Sequence, residues 1–227
     1  MKKVIYFPVF LWLLIPVISN AQILEPAFTE LYNRYEFNKL FEEPEQNYAG
    51  CPYLDTAFVT GNLYMPNGVV YQNIPLRYNI YNDVFEFQQE GHTRALDTAM
   101  NYSMLSIGDR PFIFGSYYHG DSFKRGHMEV LYRGEYTLLK KYKVIFTPPT
   151  KPEAYKDPKP ATFTNSRPEY FVSKEGQTIF FNNEKSLAQA CGYDYNTLKA
   201  FAKENKINFR KEESLIELFN HLNNKQE

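Results

Sequence analysis

The chain has few of the residues that usually announce chemistry. Only two of its 227 residues are cysteines, Cys51 and Cys191. Two cysteines exclude a disulfide scaffold, and at this separation they match no metal-ligand spacing. Tryptophan occurs once, at Trp12. Neither sign of charge is in excess: 25 Lys and Arg face 26 Asp and Glu, a formal net charge of −1. No global field therefore recruits nucleic acid or an anionic membrane. No G-x-S-x-G, H-E-x-x-H, phosphate-loop or dinucleotide-binding glycine pattern occurs.

Met1-Lys2-Lys3 is a basic start, and Val4 to Ile18 is a mostly apolar run that ends before Ser19-Asn20-Ala21. This reads as a secretory signal peptide over residues 1–21, cut after Ala21. The run is shorter than the roughly 20 residues of a membrane span, and Pro8 and Pro16 interrupt it. Nothing later in the chain has the length and apolarity to cross a bilayer. The expected location is therefore outside the cytoplasm, in the periplasm or cell envelope, or in the medium. Export would permit a Cys51–Cys191 disulfide, tying the entry of the sheet to a C-terminal helix. The alternative is two unpaired thiols, since Cys191 lies near an apolar helical face.

Aromatic residues are abundant, at 17% of the chain, which favours strands and interaction surfaces. The stretch Phe58–Gln88 predicts three antiparallel strands joined by two tight turns. Asn67-Gly68 is a strong two-residue hairpin signal and Asn82-Asp83 a weaker one. With both as turns, Val59 pairs with Leu76, Gly61 with Ile74, Leu63 with Gln72, Tyr78 with Phe87 and Ile80 with Phe85. Val59, Leu63, Met65, Val70, Ile74, Leu76, Tyr78, Ile80, Phe85 and Phe87 then share one face. Arg77, Asn79 and Glu86 take the other. Gln72 breaks the apolar face, and Pro75 predicts a bend or bulge.

Further short strands follow at intervals of roughly 8–12 residues. They include Leu105–Ile107, Arg110–Tyr118, His127–Arg133 and Tyr136–Phe146. Gly134-Glu135 at a turn aligns Leu131 with Leu138 and Glu129 with Lys140. Residues 147–168 hold six prolines and read as an extended surface connector. Tyr170–Phe181 is a hairpin turning at Glu175-Gly176. Asn182 or Asn183 can cap a helix that Gly192 ends. Asp194 can cap a second helix. A third, Glu212–Leu222, puts Leu215, Leu218, Phe219 and Leu222 on one stripe. A low-amplitude helical pattern also covers Glu30–Phe41.

The resulting expectation is an α+β protein: an antiparallel β-meander, as partial barrel or sandwich, followed by a small helical cap. Its parts are an N-terminal segment at 22–52, the β domain at 53–146, the connector at 147–168, and a hairpin with helices at 169–227.

Candidate chemistry is sparse. His119 and His127 flank the loop that carries Asp121, a trio from which a metal or acid–base site can be imagined. The spacing is no established ligand motif, and solvated or structural histidines are the plainer reading. Asp55, Asp83, Asp97, Asp109 and Asp121 recur near turns, where Asp serves the backbone. Lys140, Lys141 and Lys143, with Lys151, Lys156 and Lys159, form a basic stretch. It reads as a solvated face, with contact to phosphate or anionic polysaccharide as the alternative. No cofactor is implied.

Two segments carry a resemblance. One is Tyr53-Leu54-Asp55 with Gly61, Asn67-Gly68 and Pro75-Leu76-Arg77-Tyr78-Asn79. The other is Lys185-Ser186-Leu187 with Lys203-Glu204-Asn205-Lys206-Ile207 and Leu215. Together they resemble a family of uncharacterised exported proteins from Bacteroidota bacteria. The resemblance implies an envelope location and supplies no activity. The expected function is a non-catalytic envelope module that binds another macromolecule, an envelope protein or a second copy of itself. The alternative is a carrier or hydrolase holding a small molecule or glycan inside the curled sheet.

Overall fold

The computed structural model describes residues 48–89, 91–151 and 158–224. The signal-like start, the Glu30–Phe41 helix and Lys156 lie outside these residues. The protein is α+β, an antiparallel meander followed by three helices.

The first hairpin joins β2 (Val59–Tyr64) to β3 (Val70–Asn79). Val59 pairs with Leu76 and Gly61 with Ile74, as the alternation requires, but Leu63 pairs with Tyr71 rather than Gln72. The cause is Pro66, whose ring holds φ negative and suits the second position of a type I turn. Gly68 N–H donates to Met65 O at 3.0 Å, and Gly68 alone of the expected turn pair has positive φ, +84°. The turn is thus type I with a glycine bulge instead of the expected type I′. A second bulge compensates at Gln72–Asn73, where Asn73 has φ +58° and its N–H donates to Asn62 Oδ1 at 3.2 Å. That bulge, not one at Pro75, moves Gln72 to solvent and puts half-buried Tyr71 against the core instead.

β3 continues into β4 (Val84–Gln89), but the connection is Ile80–Asp83 rather than a two-residue turn. Tyr78 therefore pairs with Phe85 and Leu76 with Phe87, two residues from the expected register. A slip of two preserves the faces, so Tyr78 and Phe87 still lie buried on the same side. Asn79 Oδ1 accepts from Asn82 N–H at 3.0 Å and stabilises the longer loop. The polar face is covered rather than wet. Glu86 is 1% exposed, held by Arg77 Nη2 at 2.8 Å and Asn79 Nδ2 at 3.1 Å, with the Tyr53 ring 3.8 Å from the Arg77 guanidinium.

β5 (His92–Ala95) pairs with β4, and a 3₁₀ turn over Thr98–Met100 leads to β6 (Met104–Ile107) and β7 (Arg110–His119). β8 (Ser122–Tyr132) returns along β7, and β9 (Thr137–Lys141) along β8. Glu129 pairs with Lys140 as expected, but a bulge opposite Leu138 gives that residue Tyr132 in place of Leu131. The strand expected over Tyr136–Phe146 breaks at Tyr142-Lys143. Its end is β10 (Val144–Thr147), which pairs with β11 (Ala161–Asn165). Part of the stretch read as a connector is therefore a strand, and it also pairs in parallel with β1 (Tyr48–Ala49). Tyr81 packs on Phe163 of this small sheet at 5.1 Å between ring centroids.

β12 (Glu169–Lys174) and β13 (Gln177–Phe181) form the last hairpin, with Phe171 opposite Phe180 and Val172 opposite Ile179 as expected. β12 pairs with β9, and Ile179 meets Tyr118 in parallel, joining β13 back to β7. β7, β8, β9, β12 and β13 thus close a five-strand ring at one end of the sheet. Tyr117, Met128, Val130, Leu139 and Phe171 fill it. The other end curls to the opposite face, where Tyr78, Phe85 and Phe112 pack together. β7 serves both cores: Phe112 and Phe114 face one, Ile113 and Tyr117 the other.

α1 (Glu184–Cys191) starts at an Asn183–Ser186 capping box and stops at Gly192, φ +65°. α2 (Tyr195–Glu204) starts at Asp194, whose carboxylate accepts from Thr197 N–H at 2.7 Å. α3 (Glu212–Asn224) buries the expected stripe against Leu138, Val172 and Phe181. Each such apolar side chain contributes about 1.5–3 kcal/mol. Cys51 and Cys191 are both free thiols. The bridge weighed above is not formed, because Cys191 is spent in the helical core, where burial pushes its thiol up to about 12.

Candidate functional site

The connection between β3 and β4 places Asp83, with φ +54°, against the β7–β8–β9 wall. Its carboxylate accepts from Tyr78 Oη at 2.6 Å, from Lys141 Nζ at 2.9 Å and from the His127 backbone N–H at 3.2 Å. The Asp83 carbonyl lies 2.9 Å from His127 Nδ1. A carbonyl only accepts, so Nδ1 carries a proton, while Nε2 is hydrogen-bonded to the Tyr102 hydroxyl. His127 is 1% exposed, with Phe85 and Phe114 rings each 4.8 Å away.

Gly126 makes this approach possible. A Cβ there would stand 2.2 Å from Asp83 Oδ2 and 2.6 Å from Lys141 Nζ. Burial pushes the Asp83 carboxyl up, but hydrogen bonds from His127 and the Lys141 charge outweigh it and hold the group below its ordinary value. Burial, and then the Asp83 charge, push the Tyr78 and Tyr102 hydroxyls well above theirs. Both stay protonated donors. Every polar group of the cluster is thus occupied by another, which makes it a latch holding the curled half against the ring.

The mouth of the ring lies beside this latch. There a cleft of about 300 Å³ is lined by Asp83, Tyr117, His119, Lys124, Lys143 and Glu169, among others. His119 stacks on Phe180 at 4.3 Å between centroids, and Lys143 Nζ meets Glu169 Oε1 at 2.9 Å. Glu169 also walls a second cleft, of about 630 Å³, lined by Arg167, Phe180, Asn182, Phe209, Arg210 and Lys211 among others. Both volumes lie in the range of ligand sites, about 300–1,000 Å³. A third polar group ties the layers: Tyr142 donates to Glu129 at 2.6 Å, while Lys140 reaches Glu212 of α3. Burial and the Glu129 hydrogen bond push the Tyr142 hydroxyl up to about 12.

The sequence candidates are separated. His127 faces the aromatic core and His119 the mouth of the ring, because residue 127 pairs with Phe114 and 119 lies an odd number of positions further along β7. Asp121 is exposed in the β7–β8 turn. No group of three or more His, Cys, Asp or Glu able to hold a metal occurs among the described residues. Of the residues singled out for chemistry in the sequence, His119, Lys141 and Lys143 line the smaller cleft and none lines the larger one. Asp83 looked like a turn residue, and Arg167, Phe209 and Arg210 come together only through tertiary packing. A basic residue amid proline was the one available cue. No helix among the described residues is long and apolar enough to cross a membrane. No family model, curated protein or solved structure matches the chain.

Proposed function

We propose that this protein is an exported, non-catalytic module of the cell envelope that binds another macromolecule along the two clefts meeting at Glu169. One contrast carries this reading. The buried polar groups around Asp83 are consumed by each other, whereas the exposed side chains of Lys124, Arg167, Arg210 and Lys211 meet no ion-pair partner among the described residues. A surface with unspent donors beside half-buried aromatic rings is suited to holding a partner. The carrier or hydrolase alternative needs room inside the sheet, and Phe171, Leu139, Met128 and Tyr117 occupy that room. The signal-like start and the resemblance to exported Bacteroidota proteins support the envelope placement.

The test compares immobilised full-length protein with a variant carrying Arg167→Ala, Arg210→Ala and Lys211→Ala, each exposed to an envelope extract. Material retained by the wild type, lost by the variant and recovered chemically unchanged is the expected result. Equal retention by both proteins, or cleavage of the retained material, overturns the proposal.

A further inference from the structure

Resting on that reading, we infer that the macromolecule is an acidic polysaccharide, held with its carboxylates on Arg167, Arg210 and Lys211 and its sugar faces on Phe180 and Phe209. Among the side chains that line the larger cleft, cations outnumber anions three to one. The three cations lie exposed on its rim. Asn182 Oδ1 accepts from Asn183 Nδ2 at 2.8 Å, and Asn208 Oδ1 from Arg210 N–H at 2.9 Å, so both amide oxygens already carry a hydrogen bond. The one side-chain anion, Glu169, is already bound by Lys143 at 2.9 Å and lies 3.7 Å from His119. A ligand with acceptor oxygens and negative charge complements this lining.

The charge is local, since the whole chain carries −1. It is therefore a property of this cleft rather than of a basic protein. Phe180 and Phe209 are half-buried, leaving part of each ring to pack against an apolar face of the ligand. The aromatic wall continues past the His119–Phe180 stack into the smaller cleft, where Lys124 is a further exposed cation without a partner among the described residues. Two basic clefts on either side of one acid suit a repeating chain better than a single small molecule.

An acidic peptide would share the charges but not the remaining chemistry. Extended peptides take affinity from main-chain ladders on a free strand edge, or from arginine clusters, a mode that poly-glutamate would probe. β12, which enters the cleft at Glu169, is paired on both sides, with β9 and β13. A peptide has no ladder to join on β12. Sugar rings need none, because their hydroxyls accept from amide and guanidinium N–H groups.

The experiment titrates full-length protein by calorimetry with oligogalacturonate, its fully methyl-esterified form and poly-glutamate of matched charge. Saturable binding of oligogalacturonate is expected, at least tenfold weaker for the ester, weakened by added salt, and at least tenfold weaker for an Arg210→Ala, Lys211→Ala variant. Phe209→Leu, which keeps an apolar side chain but removes the ring, is expected to lose several-fold in affinity while melting with the wild type. Equal binding of the ester, or tighter binding of poly-glutamate, overturns the polysaccharide assignment. If no probe binds, yet the cleft variant still loses the material captured from the envelope, the ligand class falls and the binding-module reading stands. If that capture is also unaffected, both fall.

Discussion

The two ends of the ten-stranded sheet solve the same problem differently. Each has apolar residues that must leave water. The ring end closes by backbone pairing, Ile179 to Tyr118, around aliphatic and aromatic side chains. The other end curls until Tyr78 and Phe85 meet Phe112 across the layer, and side chains hold it there through Asp83. A ladder closure depends little on charge. A latch of carboxylate, lysine and tyrosine depends on it directly, so the two ends should respond differently to the same insult.

The largest effect is expected where both ends share a wall. Phe112 is fully buried on β7, and Phe112→Ala should cost about 3–5 kcal/mol. A urea melt should show the whole domain unfolding in one transition. Two transitions would mean that the halves fold independently, and the shared-wall description would fail.

Gly126→Ala should cost about 1–3 kcal/mol, since its Cβ meets Asp83 and Lys141 within 2.6 Å. Gly115→Ala, on the residue paired with it, meets nothing within 4 Å and should stay within about 0.5 kcal/mol of wild type. Thermal melts of the two variants side by side distinguish a latch from a general intolerance of side chains in β7 and β8.

The latch should also give the protein a pH dependence. The Asp83 carboxyl is lower in the folded chain than in the unfolded one, so at acid pH the unfolded chain binds the extra proton. The stabilisation is present above the ordinary carboxylate range and is lost as pH falls through the folded value, below about 4. Asp83→Asn should flatten that limb of a stability–pH profile. An unchanged limb would assign the acid sensitivity to other carboxylates.

The smallest effects belong to the helices. Asn183→Ala removes the cap of α1 and should cost about 1 kcal/mol. Native alkylation should reach half-buried Cys51 first, with Cys191 reacting only on unfolding. Early labelling of Cys191 would show that the cap opens on its own.

Local chemistry marked several elements correctly. Glu175-Gly176 has positive φ at both positions, +49° and +79°, as a two-residue turn needs, and the Leu215–Leu222 stripe is buried as its spacing demands. Register failed where a local rule had a stronger neighbour. Pro66 altered the first turn, and the second connection lengthened by two residues while Asn79 and Asn82 closed it. The second error was an even shift and kept the faces, whereas the first swapped them over Val70–Gln72, between the turn and the bulge that undoes it. The larger cleft could not be read in advance, since its cations come from residues 167 and 210–211, which the last hairpin and the first two helices separate along the chain.

Side-chain period, caps and turn residues act over a few positions, and the sequence alone therefore determined an antiparallel meander with a helical end and one apolar face in its first three strands. Only the tertiary structure decided that the sheet curls both ways about β7, that Asp83 meets Lys141 58 residues away, and that unspent cations gather around Phe180 and Phe209. Those outcomes depend on which distant surfaces exclude water together, and no window of neighbouring residues contains that information.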